Sequence, residues 1–303
     1  MELETVSRSH VRHQFFSFGR VGAIASNTVL ELVRLKVFYF VLIFGLLLLG
    51  CSFFMTNFDI DEQFRMLKDV SLGSMSIITW MLAVLATAML LPKDTEDRTL
   101  YTILAKPVPR FEYLLGKLCG VFILLLISTL VMSAIFAAML FIREQTAISQ
   151  AIKGAGRVLS SKEIGEVTQG IRAETFTWAL VPGIISIYVK AALFSALTLL
   201  ISTFASSWIF TIVISAAIYV IGHIEPIARD YWLTQHGASP LTKVFLALIS
   251  LFFPDLQLFN LVDDIVAGNA IALALFLKTM ALGGVYALVY FFLAYFVFAK
   301  KEL

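Results

Sequence analysis

Few side chains in this chain are equipped for chemistry, and most stand where the chemistry would have no use. His10 and His13, three apart, offer two imidazoles to a metal. No cysteine or carboxylate completes a ligand set around them, and their flanks have no periodicity, so they read as histidines of a surface tail. His223 and Glu225, with Asp263 and Asp264 further on, have the chemistry of a polar mouth or ion site and equally of a solvated membrane edge. Met75, Met81 and Met89 offer thioethers to a soft metal, but they form no close ladder and suit packing better. No GxxxxGK[ST] phosphate loop, HExxH zinc helix or GxSxG nucleophile elbow occurs, which removes the usual machinery of hydrolysis and nucleotide cleavage. Lys190 stands apart. It falls inside an otherwise apolar run, where a charge costs about 3 kcal/mol unless it snorkels or finds a partner. Two roles are open to it: reaching the outer interface, or lining a cavity or subunit interface.

The elements that hold these residues follow from composition. The chain is 59% hydrophobic and 15% charged, where soluble domains carry about a quarter charged residues. About 20 apolar residues at 1.5 Å rise cross a bilayer core, and the sequence supplies six candidate runs, Val37–Thr56, Leu72–Leu91, Leu118–Ile142, Pro182–Phe204, Trp208–Gly222 and Ala272–Ala299, of which Trp208–Gly222 is short and its ends expected to shift by a few residues. The expected fold is all-α, a polytopic integral membrane protein with six transmembrane helices in a single domain over residues 1–303. A net charge of +2 gives no reason to expect nucleic acid as a partner. Cys51 and Cys119 fall near opposite ends of their spans and are not expected to pair. Residues 1–36 are too long and polar for a cleaved signal, and the closing KKEL reads as a basic cytoplasmic tail.

Between the spans, a helix is expected over Gly19–Lys36, with Ser26 or Asn27 capping its second half. Ile24, Leu32 and Leu35 alternate there with Glu31, Arg34 and Lys36, as in an interfacial helix or a plain lead-in to the first span. Asn57–Ser71 reads as a loop. Residues 143–177 read as a polar extracytoplasmic segment with a helix opened by the capping box Ser160/Glu163 and packed through Val158, Ile164 and Val167. Ala205–Ser207 turn tightly between two antiparallel spans. Ser239 and Pro240 start a helix over Leu241–Phe253 that is too short to cross, and so re-entrant or interfacial. With the N-terminus inside, the inner segments carry more basic than acidic residues and the outer ones the reverse. That places both termini in the cytoplasm.

The most constructed polar stretch is Pro92–Lys117, PKDTEDRTLYTILAKPVPRFEYLLGK. Asp94 caps a helix whose first turn carries Glu96 and Asp97, where negative charge suits the helix dipole. Leu100, Ile103 and Leu104 share one side at i, i+3, i+4 spacing, away from Arg98, Thr99 and Thr102. Pro107 ends the helix and Pro109 stiffens its exit. A passive loop needs no cap, apolar stripe and pair of prolines; a surface for a soluble partner does, although the stripe also fits the lipid interface.

This stretch resembles the cytoplasmic loop after the second span in permeases of the type-2 ABC exporter superfamily: Glu96, Arg98-Thr99-Leu100, Leu104, Lys106-Pro107-Val108-Pro109-Arg110 and Leu115-Gly116-Lys117. Glu31, Arg34 and Lys36, Ser202-Thr203-Phe204, Ser206-Ser207, Phe253-Pro254-Asp255, Phe259-Asn260 and the tail Phe298–Leu303 are similar to other parts of that family, while 143–177 resembles it least. Within the superfamily the sequence looks most like stand-alone permeases grouped with multicopper-enzyme maturation systems. The resemblance implies a permease in the cell (inner) membrane, paired as a homodimer, with a separate ABC ATPase beneath it that holds ATP and Mg. This chain itself would carry no cofactor. The 93–117 segment would be the coupling helix, with Leu100, Ile103 and Leu104 filling a groove on the ATPase, Glu96 and Arg98 pairing at the rim, and Pro107, Pro109 and Gly116 as hinge. The function implied is ATP-driven export; the alternative is a non-transporting anchor that relays ATPase motion to an extracytoplasmic partner.

Overall fold

The structure is a computed structural model that describes residues 16–53, 60–92, 109–154, 160–205, 207–235, 241, 244, 254–266, 269 and 271–300. Among them the regular elements are helices: α1 (Phe18–Val33), α2 (Lys36–Phe53), α3 (Ile60–Ala88), α4 (Arg110–Gly154), α5 (Ser161–Thr175), α6 (Leu180–Phe204), α7 (Trp208–Gln235), a 3-10 turn at Gln257–Phe259, α8 (Val262–Val266) and α9 (Leu273–Lys300). Five ranges among the described residues are long and apolar enough to cross a membrane: Glu62–Pro92, Arg110–Gly154, Ser161–Phe204, Trp208–Ile227 and Leu273–Lys300. The first expected span corresponds to α2, whose apolar part Val41–Cys51 is shorter. The expected helix over Leu241–Phe253 lies outside the described residues, apart from Leu241 and Val244.

The central element is α6. Every residue from Leu193 to Leu199 is buried, so this helix is covered on all sides. It packs most extensively on α9 and α3, and α4 joins them on another side. By contrast α9 is one-sided: Thr279, Gly283, Tyr290, Ala294 and Phe298 face inward, while Leu275, Leu282, Val285, Leu288, Leu293 and Phe296 are exposed, as lipid or a second subunit requires. Cys51 and Cys119 are free thiols.

Several boundaries differ from the sequence expectation, each for a visible packing reason. α3 begins at Ile60, not after Ser71, because Phe64, Leu67, Lys68 and Ser71 form a buried stripe that Asp61, Glu62, Arg65 and Asp69 obscure in the sequence. α4 runs 45 residues to Gly154, well past Ile142, with Leu140, Glu144 and Ala147 buried. The capping box of α5 is present, Glu163 Oε2 accepting from the Ser160 N–H at 2.8 Å. α5 folds back on this extension through Arg172 Nε donating to Glu144 Oε1 at 2.9 Å, and Lys68 Nζ donates to the Glu174 carbonyl. α7 continues past Gly222 to Gln235, with Pro226 inside it. α1 begins at Phe18, so Ser26 and Asn27 lie within it as exposed residues and cap nothing.

α1 lies along the first turns of α4 because two glycines one helical turn apart let the backbones meet. A Cβ on Gly116 would stand 2.7 Å from Ile24 Cβ and 3.1 Å from the Val21 carbonyl; one on Gly120 would stand 2.7 Å from Thr28 Cβ and 2.9 Å from the Ala25 carbonyl. Small residues at this spacing are a common solution for close helix packing in membranes. Gly120→Val therefore lowers the thermal midpoint of the detergent-purified protein, with an overpacking cost of about 1–3 kcal/mol. Gly50→Ala, where nothing lies within 4 Å, leaves that midpoint unchanged or slightly raised.

Candidate functional site

Two places gather polar groups that the bundle has reason to position. The first is the start of α4, the end of the bundle from which residues 93–108 emerge, called proximal here. Pro109 directly precedes the helix, and its carbonyl accepts the Tyr113 N–H at 3.1 Å, the first backbone bond of α4. Arg110 donates to the Phe298 and Ala299 carbonyls at 3.3 and 2.8 Å. Those belong to the last turn of α9, where carbonyls have no helical partner and a cation suits the dipole. Tyr113 stacks on Phe298 with centroids 6.0 Å apart, and Phe111 meets Phe291 and Tyr295 edge-on at 5.5 and 5.3 Å.

On the other side of the same two turns, Glu112 ties down α1. Its side chain is 1% exposed. It accepts Arg20 Nε at 2.5 Å and Nη2 at 2.7 Å, a bidentate pair, and also the Ser17 N–H at 3.0 Å. Ser17 is the N-cap of α1 but makes no side-chain cap bond, so the carboxylate of another helix stands at this terminus, where negative charge is favoured. One turn on, Lys117 Nζ lies 3.3 Å from Glu31 Oε2 and 5.9 Å from the Tyr113 ring centre. α1, α4 and α9 are thus joined within the first eight residues of α4.

The second place lies in the distal half, around Lys190. The tight connection 205–207 makes α6 and α7 antiparallel, and Lys190 and His223 stand about 21 and 22 Å from it at 1.5 Å per residue, so they meet. Lys190 Nζ is 3.2 Å from His223 Nε2 and 5.5 Å from the Tyr219 ring centre. His223 Nδ1 lies 2.9 Å from the Tyr219 carbonyl. That carbonyl can only accept, so Nδ1 carries the proton and Nε2 is the acceptor for the ammonium. Tyr219 stacks on Trp80 at 4.0 Å and meets Phe194 edge-on at 5.6 Å, giving the pair an aromatic floor.

Pro226 secures the fourth side. It has no N–H to give the Gly222 carbonyl one turn back, and that carbonyl accepts the Leu256 N–H instead, at 3.2 Å. Gln257 Nε2 donates to the His223 carbonyl at 3.2 Å, and Ser186 Oγ to the Phe259 carbonyl at 2.7 Å. The 254–260 segment is thereby fixed across α6 and α7. A cleft of about 200 Å³ results, lined by Asp69, Gly73, Ser76, Ile77, Lys190, Tyr219, His223, Asn260 and Val262.

The structure treats the sequence candidates unequally. Lys190 and His223 come together, a pairing readable in retrospect by counting outward from the 205–207 turn. His223 lies within α7 rather than at its outer end, because α7 is longer than its apolar run. Asp264 is exposed on α8. Met75 is fully buried in the core, and the described residues hold no group of three or more His, Cys, Asp and Glu able to hold a metal. Glu96, Arg98, Leu100, Ile103, Leu104 and Pro107 lie outside the described residues. Pro109 caps α4, and Gly116 is at the α1 crossing. Arg20 and Glu112 were not singled out from the sequence, and Arg110 appeared only as the last residue of the 106–110 motif; nothing marks which helix each would meet, and the Gly116/Gly120 spacing was the available signal.

A family model described as ABC-2 family transporter protein matches residues 23–303. No curated protein matches the chain.

The role of Glu112 is open to direct measurement. Glu112→Gln gives up the charge-assisted bonds to Arg20 and weakens the hold on Ser17. Amide exchange over residues 16–24 then rises by about ten-fold or more, the scale of losing such bonds, while exchange in the centre of α6 is unchanged.

Proposed function

This chain belongs to the ABC-2 family of transporter proteins, and we propose that it is the moving membrane half of an ATP-driven exporter. Membership makes it a multi-pass transmembrane permease component rather than the ATPase, and implies an ABC ATPase partner and a dimeric assembly. α2 is the first of six spans, both termini and the 93–117 segment are cytoplasmic in the cell (inner) membrane, and the assembly is a homodimer with ATP and Mg held by the partner ATPase. Leu100, Ile103 and Leu104 sit in a groove of that ATPase. Glu96 and Arg98 pair at its rim, where charges orient more than they bind. Pro107, Pro109 and Gly116 pass the motion into α4. The likeness to permeases of multicopper-enzyme maturation names an association within the family and no cargo.

The observation that carries this reading is the proximal junction. A displacement delivered at Pro109 enters a helix start that is bonded to α1 through Glu112 and to α9 through Arg110, so three helices move with it. The cleft around Lys190 supports transport over a purely mechanical anchor, since an anchor needs no polar recess in its distal half.

Docking and transmission separate experimentally. Leu100→Asp with Leu104→Asp abolishes co-purification of the ATPase and leaves the permease in the membrane; undiminished binding would refute the coupling role. Glu112→Gln with Arg110→Ala keeps the ATPase bound but lowers its stimulation by the permease in reconstituted vesicles.

A further inference from the structure

The cleft in the distal half contains a charge that the protein does not neutralise. Lys190 is 5% exposed. Its ammonium contacts a neutral imidazole nitrogen and the face of Tyr219, and among the described residues no carboxylate lies within ion-pairing distance of it. A lysine ammonium has three donors, and His223 takes one. Burying an unpaired ammonium is expensive, more so in a span. The bond from Nδ1 to the Tyr219 carbonyl holds the His223 ring with Nε2 towards the ammonium.

Space lies in front of this charge. Gly73 lines the cleft on α3, and a Cβ added there would meet nothing within 4 Å. The wall beside it is apolar, with Ile77 half-exposed and Val262 opposite. Val220, Ile224 and Ile227 are all exposed on the helix that carries His223, so the cleft adjoins a greasy helix face. Of the acids nearby, Asp69 also lines the cleft, exposed one helical turn from Gly73 on α3, Asp255 accepts the Gln257 N–H at 3.1 Å, and Glu225 is buried two residues beyond His223 on α7. None of the three forms an ion pair with Lys190.

We propose that this cleft seats the headgroup of a lipid-like amphiphile bearing one net negative charge, with a phosphate or carboxylate oxygen as the counter-ion of Lys190 and the chain of the amphiphile lying against the exposed face of α7. A charge-assisted bond of this kind to a lysine only 5% exposed selects for the anion. The single uncompensated charge selects a headgroup of one net charge over a zwitterion, and the apolar wall selects an amphiphile over a bare ion. The inference concerns the membrane half alone and holds whether or not an ATPase docks on residues 93–108, so each can fail without the other.

The test is native mass spectrometry of the full-length chain in neutral detergent, titrated with phosphatidylglycerol, phosphatidylcholine or inorganic phosphate. The wild-type chain retains one phosphatidylglycerol, about ten-fold or more tighter than phosphatidylcholine, the scale of one charge-assisted bond. Lys190→Met abolishes this preference. Gly73→Leu, which fills open space and leaves the lysine in place, weakens retention to a similar degree with the assembly size unchanged. Equal retention of phosphatidylglycerol by all three chains, or equal retention of both lipids by the wild type, would overturn the proposal. Displacement of the lipid by inorganic phosphate at matching concentration would overturn the amphiphile as the source of the anion.

Discussion

One carboxylate governs the proximal end. Glu112 is buried at the first turn of α4, and a buried carboxylate must be answered by donors or it costs several kcal/mol. The answer comes from outside its own helix: the Arg20 guanidinium and the Ser17 backbone N–H. This demand fixes where α1 begins, draws the N-terminal helix along α4, and lets Gly116 and Gly120 bring the two backbones together. An ordinary apolar contact would have held α1 less specifically, because hydrophobic attraction has no preferred angle. The pair gives α1 a register on α4, and the register fixes where the chain enters α2.

The distal half obeys the same rule with an incomplete answer. Hydrocarbon offers no water to free carbonyls or charges. The Gly222 carbonyl, released by Pro226, is satisfied by Leu256, and His223 is held by Tyr219. Lys190 is oriented by these neighbours without being neutralised. Where the backbone around a buried lysine is satisfied and no carboxylate among the described residues stands within ion-pairing distance of it, that cation is a natural place to look for a ligand.

The sequence made the class of fold legible and its junctions much less so. Apolar runs of about 20 residues announced the spans because the bilayer sets that length, and Ser160 with Glu163 announced α5 because a capping box is a local signal. Helix ends outside the apolar zone were hidden. Residues 62–71 pack on one face, and the charges among them mask the stripe of Phe64, Leu67 and Ser71. α7 runs past Gly222 because a proline in a helix need not end it when a distant N–H takes the freed carbonyl. The Lys190–His223 meeting was implicit in the short 205–207 turn, since an antiparallel register sets equal depths. The Glu112–Arg20 tie was not, since it joins residues 92 apart and no periodicity specifies which helix an acid will face.

The uninterrupted 45-residue course of α4 has a mechanical corollary. At 1.5 Å per residue it is a rod of roughly 67 Å, about twice the thickness of the apolar zone. Pivoted near its proximal foot, a lean of about 5° would sweep the opposite tip through roughly 6 Å on that length. α5, strapped by Arg172 to Glu144 about 15 Å short of that tip and tied to α3 by Lys68, would be carried with it, so small rotations on one side of the bilayer would be read as displacements of atomic scale on the other.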